Sequence, residues 1–210
     1  MKPAWLDKKI SLKTCYDLKQ VLRGFNVETV CEQAMCPNMA ECFSLNEATF
    51  LILGKHCTRM CSFCNIDKTK HNALDLEEPL RVACAVEKLK LKHVVITSVT
   101  RDDLLDGGAD IFRNTFLEVR KKAPHVKIEL LIPDFNLSLG SLKKVVSVSP
   151  DILAHNVETV PSLYNIVRQG ALYKRSLEVL STIKTIAPFL KTKSCLMLGL
   201  GEKEIGRAHV

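Results

Sequence analysis

Residues 49–64 read TFLILGKHCTRMCSFC, an apolar run that ends in glycine and continues directly into three cysteines. The run at 49–54 is typical of a short strand that is buried on both faces. Cys57, Cys61 and Cys64 follow it with the spacing Cys-x3-Cys-x2-Cys. Because α/β folds place their chemistry at the carboxyl ends of parallel strands, this stretch predicts a thiol site at one end of a sheet.

Strand and helix patterns alternate along the rest of the chain. Further strands are predicted at 93–99, 126–132, 151–155 and 193–198, and helices at 76–91, 111–122, 139–146, 161–167 and 176–186. Five strand–helix steps at roughly 30-residue spacing favour an α/β fold that is a partial TIM-like β/α barrel over a short doubly wound sheet. Residues 1–48 show no clean strand and are expected to be an irregular, cysteine-rich extension.

The chain has 210 residues, of which nine are cysteine and 47% are apolar. This apolar fraction is enough for a sizeable core, so disulfides are not needed in its place. No apolar run approaches the roughly 18 residues of a membrane helix, and the N-terminal MKPAWLDKK lacks the apolar region of a secretory signal. With an odd cysteine count, this predicts a reducing, cytoplasmic setting in which cysteines bind metal or do chemistry.

The balance of 30 Lys and Arg against 23 Asp and Glu gives a formal net charge of +7. The basic residues are spread along the chain and are not interleaved with aromatics, so a solvated surface is favoured over a nucleic-acid interface. We predict no nucleic-acid and no membrane partner. Attraction to an acidic partner is the alternative interpretation of the charge.

Two sets of three cysteines stand out. Cys57, Cys61 and Cys64, called here the loop set, could hold a 4Fe–4S cluster and leave one iron open, whereas structural zinc would need a fourth ligand. The upstream set, Cys31, Cys36 and Cys42, has the spacing Cys-x4-Cys-x5-Cys, and neither gap suits a zinc knuckle. Two sets predict two clusters; the alternatives are half of a zinc site at Cys61 and Cys64, and scattered buried thiols upstream.

The loop set, with Phe63 just before its last cysteine, resembles the motif of the radical S-adenosylmethionine (SAM) superfamily. This resemblance implies a partial (β/α)6 barrel. It also implies a 4Fe–4S cluster, held by the loop set, whose open iron chelates the methionine moiety of SAM. One electron from the cluster would then generate a 5′-deoxyadenosyl radical, and the protein would supply a dry pocket of fixed geometry.

The two sets in this order resemble the lipoyl synthase family. Other matching segments cover nearly the whole chain and include residues 2–6, 29–32, 36–38, 101–109, 155–160, 167–177 and 193–202. The resemblance implies radical insertion of two sulfur atoms at C6 and C8 of an octanoyl group attached to a lysine of a lipoyl carrier domain. The second cluster, held by Cys31, Cys36 and Cys42, would be the sulfur donor, and two SAM would be used per lipoyl group.

The same resemblance implies the partners. The carrier would be the E2 component of a 2-oxoacid dehydrogenase or the H protein of glycine cleavage, and ferredoxin or flavodoxin would donate electrons. No protein side chain is expected to be catalytic, because the radical is borne by the cofactor. The residues expected to contact SAM are Phe63, Thr97, Gly107, Gly108, Asn156 and Glu158. The alternatives are an ordinary strand–helix loop for the two glycines and a capped helix start for the last two residues.

For several further residues, the sequence pattern allows more than one role. Arg168 and Arg175 could bind a carboxylate, but a place on the helix surface is slightly favoured. Ser98 is a plausible pocket residue beside Thr97. His56, beside Cys57, is expected at the surface or in contact with a cluster ligand, and not as a ligand itself. The three remaining cysteines lack partners in either spacing, and burial is expected for the last two: Cys15, Cys84 and Cys195.

The sequence departs from the family at its end. The family has an Arg-Ser-Ser-Tyr segment whose serine ligates the second cluster, and neither that segment nor a sixth barrel strand is found here. Residues 205–210, IGRAHV, can be encoded by a common sequencing adapter, so we expect a truncated gene product with a non-native tail and poor activity alone. The expected division is an extension at 1–48, a partial barrel at 49–204 and the tail at 205–210.

Two other functions remain open at this point. One is another radical SAM sulfur-inserting enzyme, similar to biotin synthase, although that family lacks the upstream set ahead of the radical motif. The other is a zinc-stabilised nucleic-acid-binding module, for which the cysteines and the positive charge are the only support.

Overall fold

The computed structural model describes residues 12–68 and 73–203. Its centre is one open sheet with the strand order β1-β2-β3-β4-β5-β6, in which β1 pairs antiparallel with β2 and all later neighbours are parallel. The strands are β1 Glu28–Thr29, β2 Glu47–Ile52, β3 His93–Ser98, β4 Lys127–Leu131, β5 Ile152–Ala154 and β6 Thr192–Lys193. This sheet confirms the predicted α/β fold with parallel strands, and the sheet does not close into a barrel.

Eight α-helices are found in the described residues. They are α1 Leu12–Gly24, α2 Val30–Gln33, α3 Met39–Ser44, α4 Glu78–Leu89, α5 Ala109–Lys122, α6 Leu139–Ser147, α7 Tyr164–Val167 and α8 Tyr173–Ile186. Short 3-10 turns precede α6 at Phe135–Leu137 and α7 at Pro161–Leu163. None of the helices within the described ranges is long and apolar enough to cross a membrane.

The strands are held by a continuous apolar row. Phe50, Ile96, Leu130 and Leu153 are paired across β2 to β5, and none of the four is exposed to solvent. The same buried cluster contains side chains from α4, α5, α6 and α8. Complete burial removes roughly 1.5–3 kcal/mol of apolar hydration cost per large side chain, so this row fixes the strand register.

The N-terminal extension is more regular than expected. The prediction of an irregular segment was wrong for residues 12–48, which form α1, α2, α3 and β1. α2 and α3 are only four and six residues long, so neither offers the repeated helical spacing that a sequence pattern needs. Thr29 caps α2 by accepting a hydrogen bond from the backbone N–H of Glu32 at 3.3 Å.

The last strand is shorter than the predicted 193–198. β6 ends at Lys193, and beyond it only an isolated bridge joins Leu196 to Glu158. Cys195 is exposed, so the expectation that it is buried was wrong, and Cys84 is half-buried. The predicted tail at 205–210, residues 1–11 and the side chain of Cys15 lie outside the described part of the chain.

Candidate active site

The chain turns sharply where β2 ends. Leu53 and Gly54 both have left-handed backbone conformations, with φ of 68° and 90°. Two side chains from other elements hold this turn: Glu78 Oε2 accepts from the Leu53 N–H at 2.7 Å, and Arg101 Nη1 donates to the Leu53 carbonyl at 3.3 Å. The turn therefore fixes the start of residues 54–64, which we call the cysteine loop.

The cysteine loop carries the loop set at the carboxyl end of β2, as predicted. Cys57 Sγ accepts from the backbone N–H of Thr100 at 3.3 Å, which ties it to the end of β3. Burial raises the pKa of the Cys61 thiol, the neighbouring Cys57 and Cys64 raise it further, and Arg168 lowers it. All three are free and half-buried, and the Cys64 N–H donates to the Cys61 carbonyl at 3.2 Å, which keeps the last two close together.

Backbone contacts hold the loop from both sides. The Cys57 N–H donates to the Asp67 carbonyl at 2.9 Å, and the Thr58 N–H donates to the Thr100 carbonyl at 3.0 Å. On the other side, the Ser62 N–H donates to the Val167 carbonyl at 2.9 Å. The loop is therefore anchored to β3 and to α7.

The upstream set lies beside the same strand. Cys31 is buried in α2, which packs on β2, and the backbone of Thr49 is its hydrogen-bond partner. Burial raises the pKa of both Cys31 and Cys42, and the charge of Cys36 raises each further. The Cys36 N–H donates to the Cys31 carbonyl at 3.0 Å, which brings these two residues together.

Direct contacts connect the two segments that carry the cysteines. Asn65 Nδ2 donates to the Gln33 carbonyl at 3.0 Å, and Lys55 Nζ is 2.5 Å from Glu28 Oε1. Gln33 Nε2 in turn donates to Glu28 Oε2 at 2.7 Å. The α2 segment and the cysteine loop are thus held together along β2.

The donor chemistry fits iron–sulfur ligation. Within residues 12–68 and 73–203, no three His, Cys, Asp or Glu side chains converge closely enough to ligate a single metal ion. Each of the two sets consists of three free thiols on a short segment of the chain. Soft sulfur donors in groups of three match the requirements of a cluster with one open iron.

A cavity of about 130 Å³ opens beside the cysteine loop at the ends of β3, β4 and β5. Its lining consists of Thr97, Ser98, Thr100, Leu131, Ile132, Pro133, Asn156, Glu158 and Arg168. Burial raises the pKa of Glu158, whose backbone is left-handed with φ of 73°. Of the six predicted SAM contacts, the cavity brings together Thr97, Asn156 and Glu158.

The other three predicted contacts do not line this cavity. Phe63 is on the cysteine loop with 37% of its surface exposed. Gly107 and Gly108 are left-handed and pack against Phe135 and Leu53, respectively. The structure therefore gives both glycines a packing reason, and their contact with SAM stays a prediction.

Ser98 offers a clearer polar contact than Thr97. The Thr97 hydroxyl already donates to the Leu131 carbonyl at 2.9 Å. The buried Ser98 hydroxyl has no hydrogen-bond partner in the described chain. The sequence pattern alone could not tell these two hydroxyls apart, because whether each one has a hydrogen-bond partner depends on the neighbouring strand.

Arg168 was expected on the helix surface, and this was wrong. Its Nη1 donates to the Asn156 carbonyl at 2.7 Å and to the Tyr164 hydroxyl at 2.6 Å, and the side chain lines the cavity. Arg175 does contact a carboxylate, but it is one of the protein's own: Arg175 Nη1 is 3.5 Å from Asp134 Oδ2. His56 is half-buried, with Nδ1 3.3 Å from Asp67 Oδ2.

Comparison with known proteins decides the family. A model of the Radical SAM superfamily matches residues 51–209. The chain is 55% identical over 204 residues to the lipoyl synthase of Geotalea uraniireducens, which covers 97% of this chain and 72% of that protein. The chain belongs to the lipoyl synthase family. It is also 53% identical over 203 residues to the lipoyl synthase of Geobacter sulfurreducens, with 97% and 67% covered.

Solved structures agree on the fold. Methylornithine synthase (PylB) has a TM-score of 0.56 at 16% identity, covering 89% of this chain and 56% of that one. The hydrogenase maturase HydG from Carboxydothermus hydrogenoformans has a TM-score of 0.62 at 13% identity, covering 90% and 50%. At these identities the likeness concerns the fold alone. For this lipoyl synthase homologue, membership of the superfamily implies an iron–sulfur cluster and SAM as cofactors.

Proposed function

We propose that the function is insertion of two sulfur atoms, at C6 and C8, into an octanoyl group attached to a lysine of a lipoyl carrier domain, and that this chain performs it poorly because no Arg-Ser-Ser-Tyr segment is found in it. The observation that carries the proposal is the pair of three-thiol sets arranged along β2, with the contact between Asn65 and Gln33 joining their segments. A sulfur donor cluster needs ligands of its own in addition to those of the radical cluster, and the second thiol set can supply them.

The residues divide into three groups under this proposal. Cys57, Cys61 and Cys64 hold the radical cluster, and Cys31, Cys36 and Cys42 hold the second 4Fe–4S cluster. When bound, these clusters and SAM supply radical hydrogen abstraction and sulfur, which no ordinary side chain can do. The SAM contacts proposed are Phe63, Thr97, Gly107, Gly108, Asn156 and Glu158, and we add Ser98 because its buried hydroxyl has no hydrogen-bond partner among the described residues.

The chain's own residues prepare the pocket. Leu131, Ile132 and Pro133 form the apolar part of the cavity wall, which limits access of water to the reacting groups. Arg168 holds the Asn156 backbone through its hydrogen bond to the carbonyl, and so fixes one polar side of the cavity. Glu158 and Ser98 remain as polar groups that a ligand can use.

The proposed setting follows from the same chemistry. The carrier is an E2 component or an H protein, electrons come from ferredoxin or flavodoxin, and two SAM are consumed per lipoyl group in the cytoplasm. The proposed units are the extension 1–48, with the upstream set, and the partial barrel 49–204.

Anaerobically reconstituted protein, octanoylated carrier domain, SAM and a reductant test the proposal. Intact mass of the carrier should show replacement of two hydrogens by two sulfurs. A variant with Cys31, Cys36 and Cys42 all changed to Ala should still cleave SAM to 5′-deoxyadenosine but add no sulfur. Sulfur addition by that variant would point to another donor, and SAM cleavage without any sulfur on the carrier by a version that carries the Arg-Ser-Ser-Tyr segment would point to another substrate.

A further inference from the structure

Arg59 lies between two residues of the loop set and is 5% exposed. Its guanidinium group makes two pairs of hydrogen bonds. Nε and Nη2 donate to the two oxygens of Asp102 at 2.8 and 2.9 Å, and Nη1 and Nη2 donate to the two oxygens of Asp134 at 2.8 and 2.7 Å. One side chain of the cysteine loop is thus bound to residues that follow β3 and β4.

The two acceptors are themselves fixed. Asp134 is completely buried, and although burial acts to raise its pKa, hydrogen bonds from Arg59 hold that pKa below the usual range. Asp102 accepts a further hydrogen bond from Thr58 Oγ1 at 3.1 Å and another from Asn136 Nδ2 at 3.0 Å. Arg59 therefore connects the loop to a rigid polar frame.

The aliphatic part of Arg59 is also held. Gly170 has φ of +88°, and a Cβ at this position would be 3.2 Å from Arg59 Cγ. Arg175 completes the frame by donating to Asn136 Oδ1 at 2.7 Å. The two guanidinium groups balance the two carboxylates in charge, so the frame carries no excess charge.

We propose that Arg59 is a positioning residue that gives the cysteine loop its shape through protein contacts alone, before any iron is bound. The inference rests on the proposed role of Cys57, Cys61 and Cys64 as cluster ligands. Only arginine presents a planar fork of donors that can engage two carboxylates at once; lysine keeps the charge but not this geometry. Arg59→Lys therefore removes the double hydrogen-bonding geometry while it keeps the positive charge at this position.

The test uses a background in which Cys31, Cys36 and Cys42 are alanine, so that only the loop-set cluster is counted. In Arg59→Lys, we expect chelator-driven iron loss about ten-fold faster than in this parent, as for residues that orient metal ligands elsewhere. The electron paramagnetic resonance signal of the reduced cluster should broaden. Arg120→Lys is the matched control, because Arg120 also makes several hydrogen bonds, to Asp151, Pro124 and Val126, at the other end of the sheet.

The metal-free protein gives a second readout. Alkylation of Cys57, Cys61 and Cys64 should be faster in Arg59→Lys than in the parent, while Arg120→Lys should leave it unchanged. If Arg59→Lys does not fold, as judged by circular dichroism, Asp102→Asn replaces it, because the Asp102 side chain is 32% exposed and its loss is tolerated more easily. Iron retention, resonance signal and alkylation rates equal to the parent's would overturn the inference. A parent that binds no iron would overturn this inference and the proposed function together.

Discussion

At the scale of single residues, Gly108 shows how packing supports the cysteine loop. It precedes α5 with φ of 90°, and an added Cβ would overlap Leu53 Cδ1, at the turn where β2 ends. Gly199 has almost the same φ of 89°, but among the described residues no heavy atom beyond its chain neighbours lies within 4 Å of the Cβ position. An alanine at Gly199 would therefore cause backbone strain alone, whereas an alanine at Gly108 would cause both strain and steric overlap.

We expect Gly108→Ala to destabilise the protein by about 2–5 kcal/mol, because a left-handed alanine costs about 1–2 and overpacking adds about 1–3. Gly199→Ala should cost only the first part. Urea unfolding at neutral pH measures both. Equal losses in the two variants would show that contact with Leu53 contributes nothing.

His155 predicts a loss of stability in acid. It is fully buried, with Nδ1 2.9 Å from the Ile132 carbonyl and Nε2 3.1 Å from Ser176 Oγ, and its burial lowers its pKa to about 4. The unfolded chain binds a proton near pH 6.5 that the folded chain refuses, so stability is complete above pH 6.5 and falls as the pH drops towards 4.

This shift corresponds to at most about 3 kcal/mol, at 1.36 kcal/mol per pKa unit. In His155→Gln, the difference in unfolding free energy between pH 7 and pH 4.5 should shrink by most of this amount, because that side chain does not titrate. Carboxylates that protonate in the same range do so in both proteins and cancel. An unchanged difference between the two pH values would contradict the assignment.

At the scale of elements, the central strands were predictable and the edges were not. β3 and β4 were expected at 93–99 and 126–132 and are found at His93–Ser98 and Lys127–Leu131. Parallel strands buried on both faces leave unbroken apolar runs, which sequence alone reveals. β1 and β6 have two residues each, so they are defined by pairing with a neighbour rather than by a pattern.

The candidate site divides in the same way. The loop set could be predicted from spacing because its ligands are close in sequence. Arg59, Asp102 and Asp134 could not, since their partnership joins positions 43 and 75 residues apart. Arg168 was misjudged because its environment depends on how α7 meets the end of β5.

α4 supplies the side chain that holds the end of β2. Glu78, its first residue, accepts from the Leu53 N–H, and burial raises its pKa. The Glu78 carboxylate accepts from the backbone of both Leu53 and Gly54, whereas Gln keeps only one acceptor oxygen, so in Glu78→Gln one of these two backbone donors loses its partner. We expect a loss of about 1–3 kcal/mol in urea unfolding.

Glu87→Gln on the same helix is the control. Its side chain is 54% exposed and 3.5 Å from Lys122, so the loss should stay below about 1 kcal/mol. A Glu78→Gln variant as stable as Glu87→Gln would mean that the turn at Leu53 does not depend on α4.

At the scale of the whole molecule, one group of five lysines lies at the end of the sheet opposite the thiols. Lys90, Lys92, Lys121, Lys122 and Lys127 lie where α4 and α5 end and β3 and β4 begin. The cysteine loop follows the opposite, carboxyl end of the parallel strands. Part of the positive charge therefore lies away from the cysteine loop, although Lys55, Lys68 and Arg101 are found beside that loop.

Iron content after anaerobic reconstitution tests the two-cluster interpretation most directly. We predict about eight irons per chain, one 4Fe–4S cluster for each three-thiol set, with broad charge-transfer absorption. Changing either the upstream set or the loop set to alanine should leave about four. Colourless protein with stoichiometric zinc, or a full iron complement after loss of Cys31, Cys36 and Cys42, would contradict it.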